Sequence, residues 1–217
     1  MRDSTFFFRI SRALAAALLL AAVPSVAAGQ GATLTPYSGY RLGGSLTIRE
    51  GDLKLANAPF FGAQLDFRVR PDATGTLLVD YEPTTLRLKE YGGPTEDLFD
   101  LNVWYFQGGG TLEVLNPQSP AVPFVLGTIG MSWFDPGSNS RNAESEWAFS
   151  GIFGAGVKIP LQSGGMALRL QARVLLNSIY GGASFWCGTG SGCYVGTGGY
   201  LGPVQFDFGG GLTLGGR

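Results

Sequence analysis

The sequence predicts an all-β fold, an eight-stranded antiparallel up-and-down transmembrane β-barrel preceded by a cleaved signal peptide. Three observations carry this expectation. Apolar and polar residues alternate with period two over eight stretches, the connections between them are short and long in turn, and the composition is rich in rings and Gly but poor in charge. Of 217 residues, 35 are Gly, 15 Phe, 8 Tyr and 4 Trp, while charged residues make up 14%, against about 25% in ordinary soluble domains. The ring content is too high for a disordered chain. A mean hydropathy of +0.15 is too low for a bundle of spanning helices.

The first segment is set apart from the fold. Arg2, Arg9 and Arg12 precede the apolar run Ala13 to Val23, then Pro24 breaks it and Ser25-Val26-Ala27-Ala28-Gly29 offers small residues for cleavage. This is the pattern of a bacterial export signal, and the run is shorter than the roughly 20 residues a spanning helix needs. Residues 1–29 are therefore read as a signal peptide and residues 30–217 as the barrel domain. Removing the leader takes away three Arg and one Asp and leaves a mildly acidic chain. Such a balance carries no footprint for nucleic acid.

The strands follow in order. Phe61, Ala63, Leu65, Phe67 and Val69 alternate with Gly62, Gln64, Asp66, Arg68 and Arg70. Leu168, Leu170, Ala172, Val174 and Leu176 alternate with Arg169, Gln171, Arg173 and Asn177, and Phe206, Phe208, Leu212 and Leu214 with Gln205, Asp207 and Thr213. In the stretch Phe99 to Tyr105, Asp100, Asn102 and Trp104 are taken as the inward parity. Weaker alternation covers Thr33 to Ile48, Gly75 to Pro83, Pro123 to Phe134 and Glu146 to Pro160. Short reversals are expected at Arg70 to Thr74, Asn116 to Pro120 and Pro160 to Gly164. Long loops are expected over Arg49 to Pro59, Thr84 to Glu96, Asp135 to Ser145 and Tyr180 to Gly202. All long loops then emerge at one end. Closure follows from backbone chemistry, because an unpaired N–H or C=O in hydrocarbon costs several kcal/mol and a closed sheet has no edge. Tyr40, Phe60, Phe61, Tyr81, Tyr105, Trp133, Trp147 and Tyr180 lie near strand ends and suit interfacial girdles.

The inward parity supplies a candidate polar network of Arg41, Asp66, Arg68, Asp80, Glu82, Asp100, Lys158, Arg169, Arg173 and Asp207. Its acidic and basic members balance, as buried charges require. Cys187 and Cys193 lie in the last long loop, and an exported protein is expected to join them in a disulfide. The rings flanking them, Phe185, Trp186, Tyr194 and Tyr200, offer a surface for an extracellular partner. No His is present, so an imidazole-assisted nucleophile or a His-liganded zinc is impossible within the chain. No cofactor is expected.

The opening strand Pro36-Tyr37-Ser38-Gly39-Tyr40-Arg41 and the final strand together resemble the small eight-stranded outer-membrane β-barrel family, with the outer-membrane protein A-type transmembrane domain and the X-type proteins as its nearest forms. The resemblance implies a location in the bacterial outer membrane and contact with the bilayer and lipopolysaccharide. It also implies an insertion signal read by the barrel-assembly machinery, matched here by Asp207, Gly209, Leu212 and Leu214. The chain departs from that pattern by ending in Gly215-Gly216-Arg217 where the family carries a terminal aromatic. Enzymatic branches of similar barrels use a His-assisted Ser, which this chain lacks. The expected function is therefore a non-enzymatic barrel that contributes envelope integrity and presents loops for surface interaction. The alternative is a narrow conduit for small solutes, apolar ones included.

Overall fold

The computed structural model describes residues 31–48, 51–90, 93–115, 119–137, 145–161, 165–178, 184–188, 192–196 and 204–215. The signal peptide expected over residues 1–29 and the ring of Tyr180 lie outside them. Eight long strands make the barrel: β1 (Ala32–Leu42), β4 (Ala58–Arg70), β5 (Ala73–Glu90), β6 (Thr95–Glu113), β7 (Val122–Pro136), β8 (Glu146–Pro160), β9 (Met166–Ser178) and β12 (Gln205–Leu214). Each is antiparallel to its neighbours, and β12 pairs with β1 to close the ring. Two small hairpins complete the set: β2 (Ser45–Ile48) with β3 (Gly51–Leu55), and β10 (Ser184–Gly188) with β11 (Gly192–Gly196).

The short connections, Pro71–Asp72 among them, gather at one end with Ala32 and Leu214. The long ones gather at the other. Three expected loops prove to contain strand, the last of them holding the β10–β11 hairpin. Leu86, Leu88 and their neighbours carry β5 on to Glu90, and Thr95 and Glu96 already belong to β6, so the connection between them shrinks to residues 91–94. Within the first loop, β3 pairs with the far end of β5 and takes the place that β4 leaves there. The single strand expected over Thr33 to Ile48 is broken at Gly43, whose N–H donates to Asn57 Oδ1 at 2.9 Å.

Outside, the barrel wears a band of apolar side chains. Phe61, Leu77, Val79, Ile129, Phe153, Leu170 and Phe208 are all exposed, a surface that requires hydrocarbon around it. Toward the long-loop end, a run of aromatic rings in contact crosses four strands. Tyr81 and Trp104 lie with centroids 4.6 Å apart, Phe106 and Trp147 6.0 Å, and Trp147 and Trp133 5.9 Å. Tyr81 Oη donates to Asn102 Oδ1 at 2.7 Å, so each end of that amphipathic ring is satisfied at the level of an interface.

Inside, the long-loop half is apolar and the remainder polar. Leu53, Leu55, Leu86, Leu88, Phe99, Leu101, Val103 and Phe134 form one buried cluster. This reverses the expected parity of β6. Phe99, Leu101, Val103 and Tyr105 face in, while Asp100 is exposed and accepts from Thr85 Oγ1 at 3.2 Å. Asp100 is therefore not part of the interior. The reason is height, because at that level the outer face stands beyond the apolar band and the lumen is lined by leucines.

Candidate functional site

The lumen carries the only concentration of buried charge among the described residues, and it is built in two layers. The upper layer sits at mid-barrel. Arg41 on β1 reaches Asp80 at 2.9 Å, Glu82 at 3.0 Å and Asp207 at 2.8 Å. Arg173 on β9 reaches Asp80 and Asp207, each at 2.8 Å. Tyr37 Oη donates to Asp80 and accepts from Arg173 Nη1 at 3.1 Å. Gln205 Nε2 donates to Glu82 at 3.1 Å, and Tyr105 Oη donates to Gln205 Oε1 at 2.7 Å. Strands β1, β5, β6, β9 and β12 are thereby tied together across the lumen.

Phe60 packs against both guanidinium groups, with Arg41 Cζ at 4.7 Å and Arg173 Cζ at 4.9 Å from its centroid. Two glycines make this possible. A Cβ on Gly39 would stand 2.7 Å from the Phe60 ring, and one on Gly209 2.8 Å from it. Phe60 and Tyr105 are each 0% exposed, so these two rings, expected in the girdle, belong to the core. Arg41 also stacks on Tyr105 at 4.8 Å. These cation–π contacts add to ion pairing where water is excluded.

The lower layer lies toward the short-turn end and centres on Asp66. Its carboxylate takes Arg169 Nη1 at 3.1 Å and accepts from Gln64 Nε2 at 2.8 Å and Thr76 Oγ1 at 2.6 Å. Arg169 Nε donates to Gln171 Oε1 at 2.9 Å, and Arg169 Cζ lies 4.0 Å above Phe124. Lys158, partly open at the rim, pairs with Glu113 at 2.5 Å and approaches Asp66 at 3.9 Å.

Eight of the ten expected network residues thus line the lumen: Arg41, Asp66, Asp80, Glu82, Lys158, Arg169, Arg173 and Asp207. Two do not. Asp100 faces out, and Arg68 is exposed at the short-turn rim, past the end of β1, where its N–H donates to Gly31 O at 3.3 Å. Glu113 replaces them in the lower layer and was missed because Thr111, Leu112 and Glu113 follow a glycine run that hides the parity. Of the expected insertion signal, Asp207 points into the upper layer, while Leu212 and Leu214 are exposed on the outer face of β12.

A closed ring of eight antiparallel strands, apolar outside and charged inside, is the build of a membrane-spanning barrel. The fold is that of the small outer-membrane barrels. Neisserial surface protein A has it, at 12% identity and a TM-score of 0.52, over 85% of this chain and 97% of that one. So does the outer membrane protein OprG of Pseudomonas aeruginosa, at 11% identity and a TM-score of 0.52, over 87% and 98%. At such identities the likeness extends to the fold. No family model and no curated protein sequence matches the chain.

Proposed function

We propose that this protein is a non-enzymatic, non-conducting barrel of the bacterial outer membrane that contributes envelope integrity and presents its long-loop end at the cell surface. The observation that supports this reading is the upper layer. Arg41 and Arg173 reach across the lumen to three carboxylates, all of them 0% exposed, and an eight-stranded barrel is only wide enough for its side chains to fill. Buried charges of this kind hold only while partnered, so the layer acts as a permanent seal. Long loops face outward in barrels of this type and short turns face the periplasm. The apolar band then meets lipid and the acyl chains of lipopolysaccharide, and Asp207, Gly209, Leu212 and Leu214 on the closing strand serve as the signal to the barrel-assembly machinery. Refolded protein in a planar bilayer is expected to give no stable conductance. Reproducible open steps from the unmodified chain would instead make it a conduit for small solutes and sink the reading.

A bridge between Cys187 and Cys193 belongs to the same proposal. The two are register partners on β10 and β11, and directly opposed residues have Cα atoms about 4.5–5.5 Å apart, within the range a disulfide spans. Peptide mapping without reduction is expected to recover one linked fragment containing both cysteines. Rapid alkylation of both thiols in the unreduced protein would refute the bridge.

A further inference from the structure

A groove of about 810 Å³ opens on the outer face of the barrel near its short-turn end, within the roughly 300–1,000 Å³ usual for small-ligand sites. Its floor is a row of glycines that neither backbone geometry nor packing within the chain requires. Gly75 on β5 lies opposite Gly110 on β6, and Gly110 lies opposite Gly127 on β7. None of the three has a positive φ. A Cβ on Gly75 or Gly127 would meet nothing closer than a side-chain carbon at 3.8 Å, and one on Gly110 nothing closer than a backbone oxygen at 3.2 Å. Glycines facing the lumen differ, since at Gly39, Gly130 and Gly156 a Cβ would run into the carbonyl oxygens of Phe208, Phe106 and Leu170. The outward row thus has room for side chains and carries none, although glycine weakens a strand.

We propose that this groove seats an acyl chain of one phospholipid from the periplasmic leaflet, with the lipid phosphate on Arg70. Phe153 walls the groove on the β8 side. On β7 the floor lies between Val125 and Ile129, both exposed, so the trench is one side chain wide, the cross-section of a single hydrocarbon chain. Close approach of a ligand is a recognised reason for glycine inside a strand. The charge at the mouth selects the class of lipid. Arg70 lines the groove with its side chain 67% exposed and Asp72 3.8 Å away, and Arg68 is exposed at the same rim. Two guanidinium groups against one carboxylate favour an anionic head group, and the fork of Arg suits phosphate. Short turns face the periplasm, and that leaflet of an outer membrane is built of phospholipid. Only the orientation proposed above is needed for this, and not the seal, so conductance through the lumen would leave the lipid site standing.

Native mass spectrometry of the refolded protein, released from detergent after addition of phosphatidylglycerol or of diacylglycerol with the same chains, tests the site. The wild-type chain is expected to keep one phosphatidylglycerol and to hold it about tenfold more tightly than diacylglycerol, the worth of one hydrogen bond to a charged group. Arg70→Gln, at an exposed side chain, should bring the two lipids level. Gly127→Leu fills the trench and should remove both; if it fails to fold, Arg70→Gln decides alone. Retention of phosphatidylglycerol that the substitutions leave unchanged would be loose boundary lipid and overturns the site. A dimer that Gly127→Leu breaks would make a second copy the occupant, and overturns it as well. The leaflet is read in intact cells, where Asp72→Cys should gain no label from an impermeant maleimide over the unchanged chain. Strong labelling there would put the short turns at the surface and overturn the phospholipid assignment.

Discussion

Arg41→Met is expected to destabilise the folded barrel by about 3–5 kcal/mol, the range found when one partner of a buried ion pair is removed. Arg41 touches three carboxylates, at 2.9, 3.0 and 2.8 Å. Without it, Asp80 and Asp207 keep Arg173, but Glu82 keeps only the amide of Gln205. Three carboxylates would then share one guanidinium in a site without water. Met fills much of the same volume beside Phe60 and Tyr105, so the loss would be electrostatic and not a cavity effect. Arg41→Lys should recover part of it, because an ammonium restores the charge but cannot reproduce a fork that binds Asp80, Glu82 and Asp207 together. The check is equilibrium unfolding by urea, with Arg70→Met for comparison. Arg70 stands 3.8 Å from Asp72 with both side chains more than half exposed, and such pairs contribute about 0–1 kcal/mol. An Arg41→Met effect as small as that of Arg70→Met would mean that the layer holds nothing together.

How far the sequence revealed this arrangement differs from strand to strand. In β4, β9 and β12 the two faces differ sharply, lipid against charge, and alternation placed Asp66, Arg169, Arg173 and Asp207 in the lumen with Arg41 opposite. In β6 the rule failed because polarity changes with height as well as with face. Phe99, Leu101 and Val103 are apolar and inward, meeting leucines of β3 and β5, and nothing in a single strand tells that apolar lumen from lipid. Phe60 and Phe61 show a related limit. Adjacent residues must point to opposite faces, so one ring had to enter, and which one depended on Gly39 and Gly209 leaving space on strands remote in sequence. The reach of β5 and β6 beyond the apolar band was hidden by Pro83-Thr84-Thr85, which resembles a break but is carried through by pairing with Asn102, Leu101 and Asp100.

The second large effect concerns the outer face. Ile129 lies at the middle of β7, 61% exposed, opposite Gly108 on β6 and Gly151 on β8. Neither neighbour has a side chain, so a guanidinium placed there finds no carboxylate or hydroxyl within its own row. Ile129→Arg is expected to destabilise the barrel by about 2–4 kcal/mol in phospholipid vesicles, the cost of a cationic side chain at the bilayer midplane. Val69→Arg supplies the contrast. Val69 is 70% exposed, more so than Ile129, but it stands between Arg68 and Arg70 at the short-turn rim, where the chain already places two guanidinium groups. A third at that depth should cost about 0–1 kcal/mol, as for cations near an interface. The difference between the variants, read from denaturant unfolding in vesicles, isolates depth in the membrane, because both replace an exposed β-branched apolar residue on a strand. If both cost the same, the apolar band does not mark a membrane. A protein that stays monomeric and soluble without detergent would point the same way, since its exposed phenylalanines and leucines would then have to face water.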